Sequence, residues 1–220
     1  MAQLSETIDV NGRRVLDVSG LPPEATGPRE PVWWGNTLLM CIETTTIVLL
    51  LVTYFYIRRN FNEWPPPQPK TIPAMYHPVP DLPLPTAELI LIIASLFVMH
   101  WTDNAALREE AAKVKAGLSI MFLAAAGLII LRLLGMNAHH LKFYWDQNAY
   151  ASTIWVILGT HLTYLLAGLA EFFIMLLWIL RHGLDPKHGL DVELAGIYWY
   201  WTAAAWLACY LVVFIGARVL

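Results

Sequence analysis

Residues 33–57 read WWGNTLLMCIETTTIVLLLVTYFYI, an apolar run with one charge, Glu43, between a tryptophan pair and the closing Arg58-Arg59. About 20 apolar residues suffice to cross the hydrocarbon core as a helix, and paired tryptophans suit the membrane interface. This run is the first membrane span. Four more follow: Thr86 to about Trp101, a third with its core at Leu118–Leu134 starting near Val114, Ser152 to Leu180, and Glu193 to Ala217. The expected fold is therefore all-α, a polytopic membrane helix bundle with five transmembrane helices.

Composition agrees with that count. Of 220 residues, 57% are hydrophobic and 14% charged, whereas a soluble domain has about a quarter charged. Five spans leave no room for a large extramembrane catalytic domain. Fourteen basic residues against 17 acidic ones give no clustered basic surface, so nucleic acid is not an expected partner. Cys41 and Cys209 lie in separate apolar runs without CxxC spacing and are expected to be inert buried thiols.

Residues 1–32 form a polar tail with Arg13, Arg14, Glu24, Arg29 and Glu30, and no secretory signal pattern precedes the first span. Residues 33–220 form the membrane domain. Between its first two spans, residues 60–85 carry so many prolines that a helix is unexpected there, and an ordered or polyproline-like loop is expected instead. Thr86 suits an N-cap with Glu88 in the first turn; Arg181 and Gly183 suit a helix end. The fourth span exceeds a bilayer's need and should tilt or protrude. Eight Lys and Arg fall on the N-terminal side of the membrane against six on the other. That imbalance favours an N-terminus in the cytoplasm and a C-terminus outside, and it rests on Arg13 and Arg14, far from the first span, without which the two sides tie.

An ionised side chain at mid-bilayer costs about 2.5–3.5 kcal/mol, so each must face protein or water. Glu43 stands first, followed by Thr44, Thr45 and Thr46, whose hydroxyls can bond backbone or the carboxylate. It reads either as a proton-pathway residue or lipid or partner contact, or as a packed, hydrogen-bonded group. His161 and Glu171 are ten positions, about 1000°, apart and so on different faces. His161 shares a smooth stripe with Gly168 and suits an interhelical hydrogen bond; Glu171 suits a wet interface or a salt bridge to another chain. His100 and Asp103 lie near the second span's end. The His139-His140 doublet is a poor chelate, and Trp199, Trp206 and Tyr210 form one packing stripe. Haem-ligand, copper-thiolate and nucleotide-loop patterns are missing, as are GxSxG and HExxH.

The order of these features resembles subunit III of the haem-copper respiratory oxidases (cytochrome c oxidase subunit 3) in a five-helix form lacking the first two of seven spans. Gly35 and Glu43 resemble the family's glycine and intramembrane glutamate, and Trp64-Pro65-Pro66 its WPP loop. His100 is similar to the histidine ending the next span. Tyr150-Ala151-Ser152-Thr153 with Gly159, His161 and Gly168 resembles YGST, GFHGLH and the following glycine. His188, Glu193, Tyr198-Trp199 and Trp206 match the loop histidine, the glutamate and the last helix's aromatics. Tyr200 and Ala203 stand where that family has a histidine and an aspartate, Tyr164 replaces a histidine, Asn137 an acidic residue, and Glu171 has no counterpart.

The resemblance implies a non-catalytic accessory subunit of a proton-translocating oxidase, in contact with subunit I and associated with subunit II and further respiratory subunits. It implies no cofactor in this chain, haem and copper in the partner subunits, bound phospholipid, and a bacterial plasma (inner) membrane location. Glu43, His161 and Glu193 are the expected buried polar, proton-uptake or lipid contacts, with Glu171 and His100 as further candidates. Alternatives are an accessory subunit of a quinol oxidase or nitric oxide reductase, an independent proton channel or transporter relaying through Glu43 and Glu171, and a membrane enzyme with metal at His139-His140. Inverted repeats and paired broken spans, marks of a transporter, are not visible.

Overall fold

The computed structural model describes residues 6–8, 14–16, 31–67, 76–184 and 186–219, with the backbone alone for 6–8, 14–16 and 186–188. Most of the polar tail, including Arg13, Glu24, Pro28, Arg29 and Glu30, the middle of the proline-rich loop and the His188 side chain lie outside these residues.

Residues 1–38 and 39–220 form two units. In the first, β1 (Glu6–Ile8) pairs antiparallel with β2 (Arg14–Leu16), Thr7 opposite Val15. These six residues leave the all-α class intact. The helix α1 (Pro31–Arg58) opens with Trp33 and Trp34 packed edge to face. Its remainder belongs to the second unit, with α2 (Pro83–Leu107), α3 (Ala111–Gly135), the single turn α4 (Ala138–Leu141), α5 (Ala149–His182), α6 (Pro186–Tyr210), a π-helical stretch (Leu211–Ile215) and α7 (Gly216–Val219). Five helical runs among the described residues are long and apolar enough to cross a membrane.

Several boundaries differ from the expected ones. Helix α2 begins at Pro83, inside the stretch expected to be loop, because proline in the first turn has no needed donor to lose and a preset φ. Its N-cap is Leu82, not Thr86, whose N–H already bonds the Leu82 carbonyl at 3.0 Å. Helix α5 starts three residues before Ser152, since the Asn148 side chain accepts from the Ala151 N–H at 2.8 Å. The expected stop at Gly183 is present, with φ +86° and its N–H on the Ile179 carbonyl. Helix α6 starts seven residues before Glu193, so that residue lies two turns inside it.

Neighbour relations among α2, α3, α5 and α6 close into a ring: α2 on α3, α3 on α5, α5 on α6, and α6 back on α2. The short turn of residues 108–110 makes α2 and α3 antiparallel neighbours. Two glycines allow close crossings: a Cβ on Gly117 would collide with the Thr102 side chain, and one on Gly168 would lie 3.1 Å from the Trp199 ring. The buried stripe Trp199, Trp206 and Tyr210 fills the ring's interior. Helix α1 stands outside it, with only Ile47 and Tyr54 buried along its length.

The described part of the proline-rich loop is ordered by hydrogen bonds. Tyr150 donates to the Pro78 carbonyl at 2.7 Å, the His77 N–H to Lys142 at 2.9 Å, and Lys142 pairs with Asp81 at 2.7 Å. Trp64 packs edge to face on Tyr54 and Tyr150.

Candidate functional site

The ring's centre holds a charge pair. Glu88 of α2 and Arg132 of α3 are both 2% exposed. Arg132 Nη2 and Nε donate to Glu88 Oε2 at 2.7 and 3.0 Å, and Nη1 donates to the Leu158 carbonyl of α5 at 3.1 Å. The guanidinium carbon sits 3.8 Å from the centroid of the Trp206 ring of α6, a cation–π contact strengthened by the burial of both side chains. All four ring helices thus meet one cation. Neither Glu88 nor Arg132 is among the site residues expected from the sequence: Glu88 reads as a first-turn acid, and Arg132 lies inside the third apolar run.

His161 lies beside this pair, fully buried, with its ring 5.2 Å from Trp206. Its Nε2 donates to the Thr202 carbonyl of α6 at 3.1 Å. Nδ1 of His161 and Nε1 of Trp206 have no partner among the described residues. Around them Trp199 Nε1 donates to Ser95 Oγ at 2.8 Å, and the Tyr210 and Thr86 hydroxyls bond at 2.9 Å.

Glu43 occupies a different setting, on α1 where it approaches α5 and α6. Tyr198 donates to Glu43 Oε1 at 3.2 Å, and Tyr164 donates to the Glu43 backbone carbonyl at 3.3 Å. Oε2 is buried without a partner among the described residues. Thr44, Thr45 and Thr46 do not solvate the carboxylate; their hydroxyls donate to the carbonyls of Met40, Cys41 and Ile42. Thr44 also accepts from Trp201 Nε1 at 2.8 Å. The expected burial of Cys41 does not hold, because it lies on the open face of α1; Cys209 is buried.

The remaining candidates are scattered. Glu171 is half-buried on α5, where Asp191 and Tyr198 of α6 are its electrostatic neighbours. His100 is exposed near the end of α2, its Nε2 3.1 Å from Asn104 Nδ2. Asp103, one turn on, accepts from Tyr200 at 2.7 Å, and its other oxygen has no partner among the described residues. Glu193 is exposed and lines a cavity of about 270 Å³ with Glu109 and Gly189. His139 and His140 are exposed on α4, and among the described residues no three His, Cys, Asp or Glu side chains are grouped to hold a metal ion.

The structure therefore brings His161 together with Glu88 and Arg132, and Glu43 with Tyr198 and Tyr164; His100 and Glu193 belong to neither group. The only sequence signal for the central pair was one arginine inside a continuous apolar run, since its partner lies 44 positions away.

A family model described as cytochrome c oxidase subunit III matches residues 32–217. Cytochrome c oxidase subunit 3 of Synechocystis sp. is 28% identical over 83% of this chain and 74% of its own length. The Thermostichus vulcanus protein of the same name is 24% identical over 84% of this chain and 87% of its own. Cytochrome bo(3) ubiquinol oxidase subunit 3 of Pseudomonas putida is 23% identical over 63% and 68%.

Proposed function

Because the chain belongs to the cytochrome c oxidase subunit III family, we propose that it is the non-catalytic subunit III of a proton-translocating haem-copper oxidase of the cytochrome c type. In that role it packs against subunit I, beside subunit II, and supports proton uptake while the partner subunits carry haem and copper. It also holds phospholipid between its helices. The setting is a bacterial plasma membrane with the N-terminus in the cytoplasm.

The observation that carries this reading is Glu43. A carboxyl group within a span, with one hydrogen-bonded oxygen and one buried oxygen that has no hydrogen-bond partner among the described residues, is costly unless it holds a proton or meets a group from outside. Both outcomes suit an accessory subunit at a proton-uptake surface. Glu43→Gln in the purified complex tests it: turnover should slow or fade during cycling while assembly persists. Unchanged turnover at every pH would remove the proton-uptake role.

The match to a ubiquinol oxidase subunit supports a second reading in which the donor is a quinol. Copurification of a copper-bearing subunit II with cytochrome c oxidation supports the first reading. Oxidation of quinol alone, without that copper centre, supports the second.

A further inference from the structure

At the turn joining α2 to α3 lies a cavity of about 290 Å³ lined by Trp101, Asn104, Ala105, Arg108, Glu110 and Lys113. Arg108 caps α2 and makes no ion pair among the described residues. Lys113 is ion-paired with Glu110 and remains about half exposed. Asn104 spends its amide N–H on His100. The two cations and one carboxylate therefore leave the cavity one positive charge, matching a phosphate diester.

An apolar track leaves this cavity. Trp101, Phe97, Ile93 and Ile90 are all exposed, Phe97 at 75%, and steps of three and four residues put them on one face of α2. A basic cavity with an interfacial tryptophan at one end of a span, continued by an apolar stripe into the bilayer, has the two-part chemistry of a phospholipid. A soluble phosphate would use only the cavity and leave the stripe unexplained.

We propose that the α2–α3 turn is a phospholipid-binding site, with the headgroup phosphate held by Arg108 and Lys113 and an acyl chain lying along Trp101, Phe97, Ile93 and Ile90. The site lies at the turn, apart from Glu43, and rests on the phospholipid role proposed above, to which it gives a place; it stands whether or not the proton-uptake reading does.

Native mass spectrometry of the complex purified from its own membrane, stripped by detergent and reloaded, tests the proposal. The three probes are dioleoylphosphatidylglycerol, dioleoylglycerol, which has the same chains without phosphate, and inorganic phosphate. Wild type should retain one more phosphatidylglycerol per chain than dioleoylglycerol. The Arg108→Gln/Lys113→Gln variant should hold that lipid about thirtyfold more weakly, and Arg108→Lys should hold it nearly as well as wild type. Equal retention of the two lipids by wild type overturns the proposal, as does undiminished retention by an assembled double variant. Retention of inorganic phosphate without lipid overturns the lipid assignment. Should the double variant fail to assemble, the wild-type comparison of the two lipids decides alone.

Discussion

The ring of α2, α3, α5 and α6 and the outlying helix α1 each carry an acidic side chain in the membrane, and they treat it in opposite ways. Glu88 meets an arginine that also reaches a backbone carbonyl and an aromatic face, so its charge is matched within the chain. The Glu43 carboxyl meets one phenol, Tyr198, and no cation among the described residues, and its other oxygen is left over. Burial follows the same division: every ring helix buries a row of side chains, whereas α1 buries two and exposes Leu39, Ile42, Leu49, Val52 and Tyr56. The lesson is that an intramembrane charge in this chain has no single meaning. A carboxylate with its own cation is neutralised within the chain, and Glu43 has a phenol but no cation beside it among the described residues.

The largest effect should come from breaking the matched pair. Arg132→Leu strands Glu88 in the core and should cost about 3–5 kcal/mol, whereas Glu88→Leu/Arg132→Leu should recover most of the loss, since an apolar pair of similar volume replaces a buried ion pair at little cost. Thermal unfolding of the purified complex checks both, and a double variant as unstable as the single one would show that the pair does more than neutralise itself. Next comes the ring's packing. Gly117→Ala places a methyl against Thr102 and should cost about 1–3 kcal/mol, partly relieved by Thr102→Ala, with the same melt as readout.

On the α1 side the expected stability effects are smaller. Tyr198→Phe removes the donor to Glu43 and should cost about 0.5–1.5 kcal/mol. Trp201→Phe, which removes the donor to Thr44 at an exposed position, should stay within about 0.5 kcal/mol. Were either to destabilise as much as Arg132→Leu, α1 would be as firmly integrated as the ring helices and the contrast would fail.

Long-range pairing marks where sequence reading stopped. The five spans were legible because each is a long apolar run, and Gly183 was legible because a basic residue followed by glycine is a local pattern. Thr86 was misplaced because two prolines, usually read as loop, are also compatible with a first helical turn. Glu88 reads as a first-turn acid complementing the helix dipole, and the single arginine inside the third apolar run does not reveal its partner. Glu43 was legible as an anomaly, since one acid among 25 apolar positions needs an explanation wherever it points. Its partners Tyr198 and Tyr164 were not, because they lie more than 120 positions away on helices whose rotation local periodicity leaves open.

By itself the sequence determined the membrane setting, the number of spans and some of the residues that do not belong in lipid, Glu43 first among them, because hydropathy and backbone preference act over one helix length. Only the tertiary structure decided which of those residues are matched inside the chain and which are left for an outside partner. That depends on how four helices rotate to close a ring, and a side chain's neighbours across such a ring are set by packing among segments far apart in the chain.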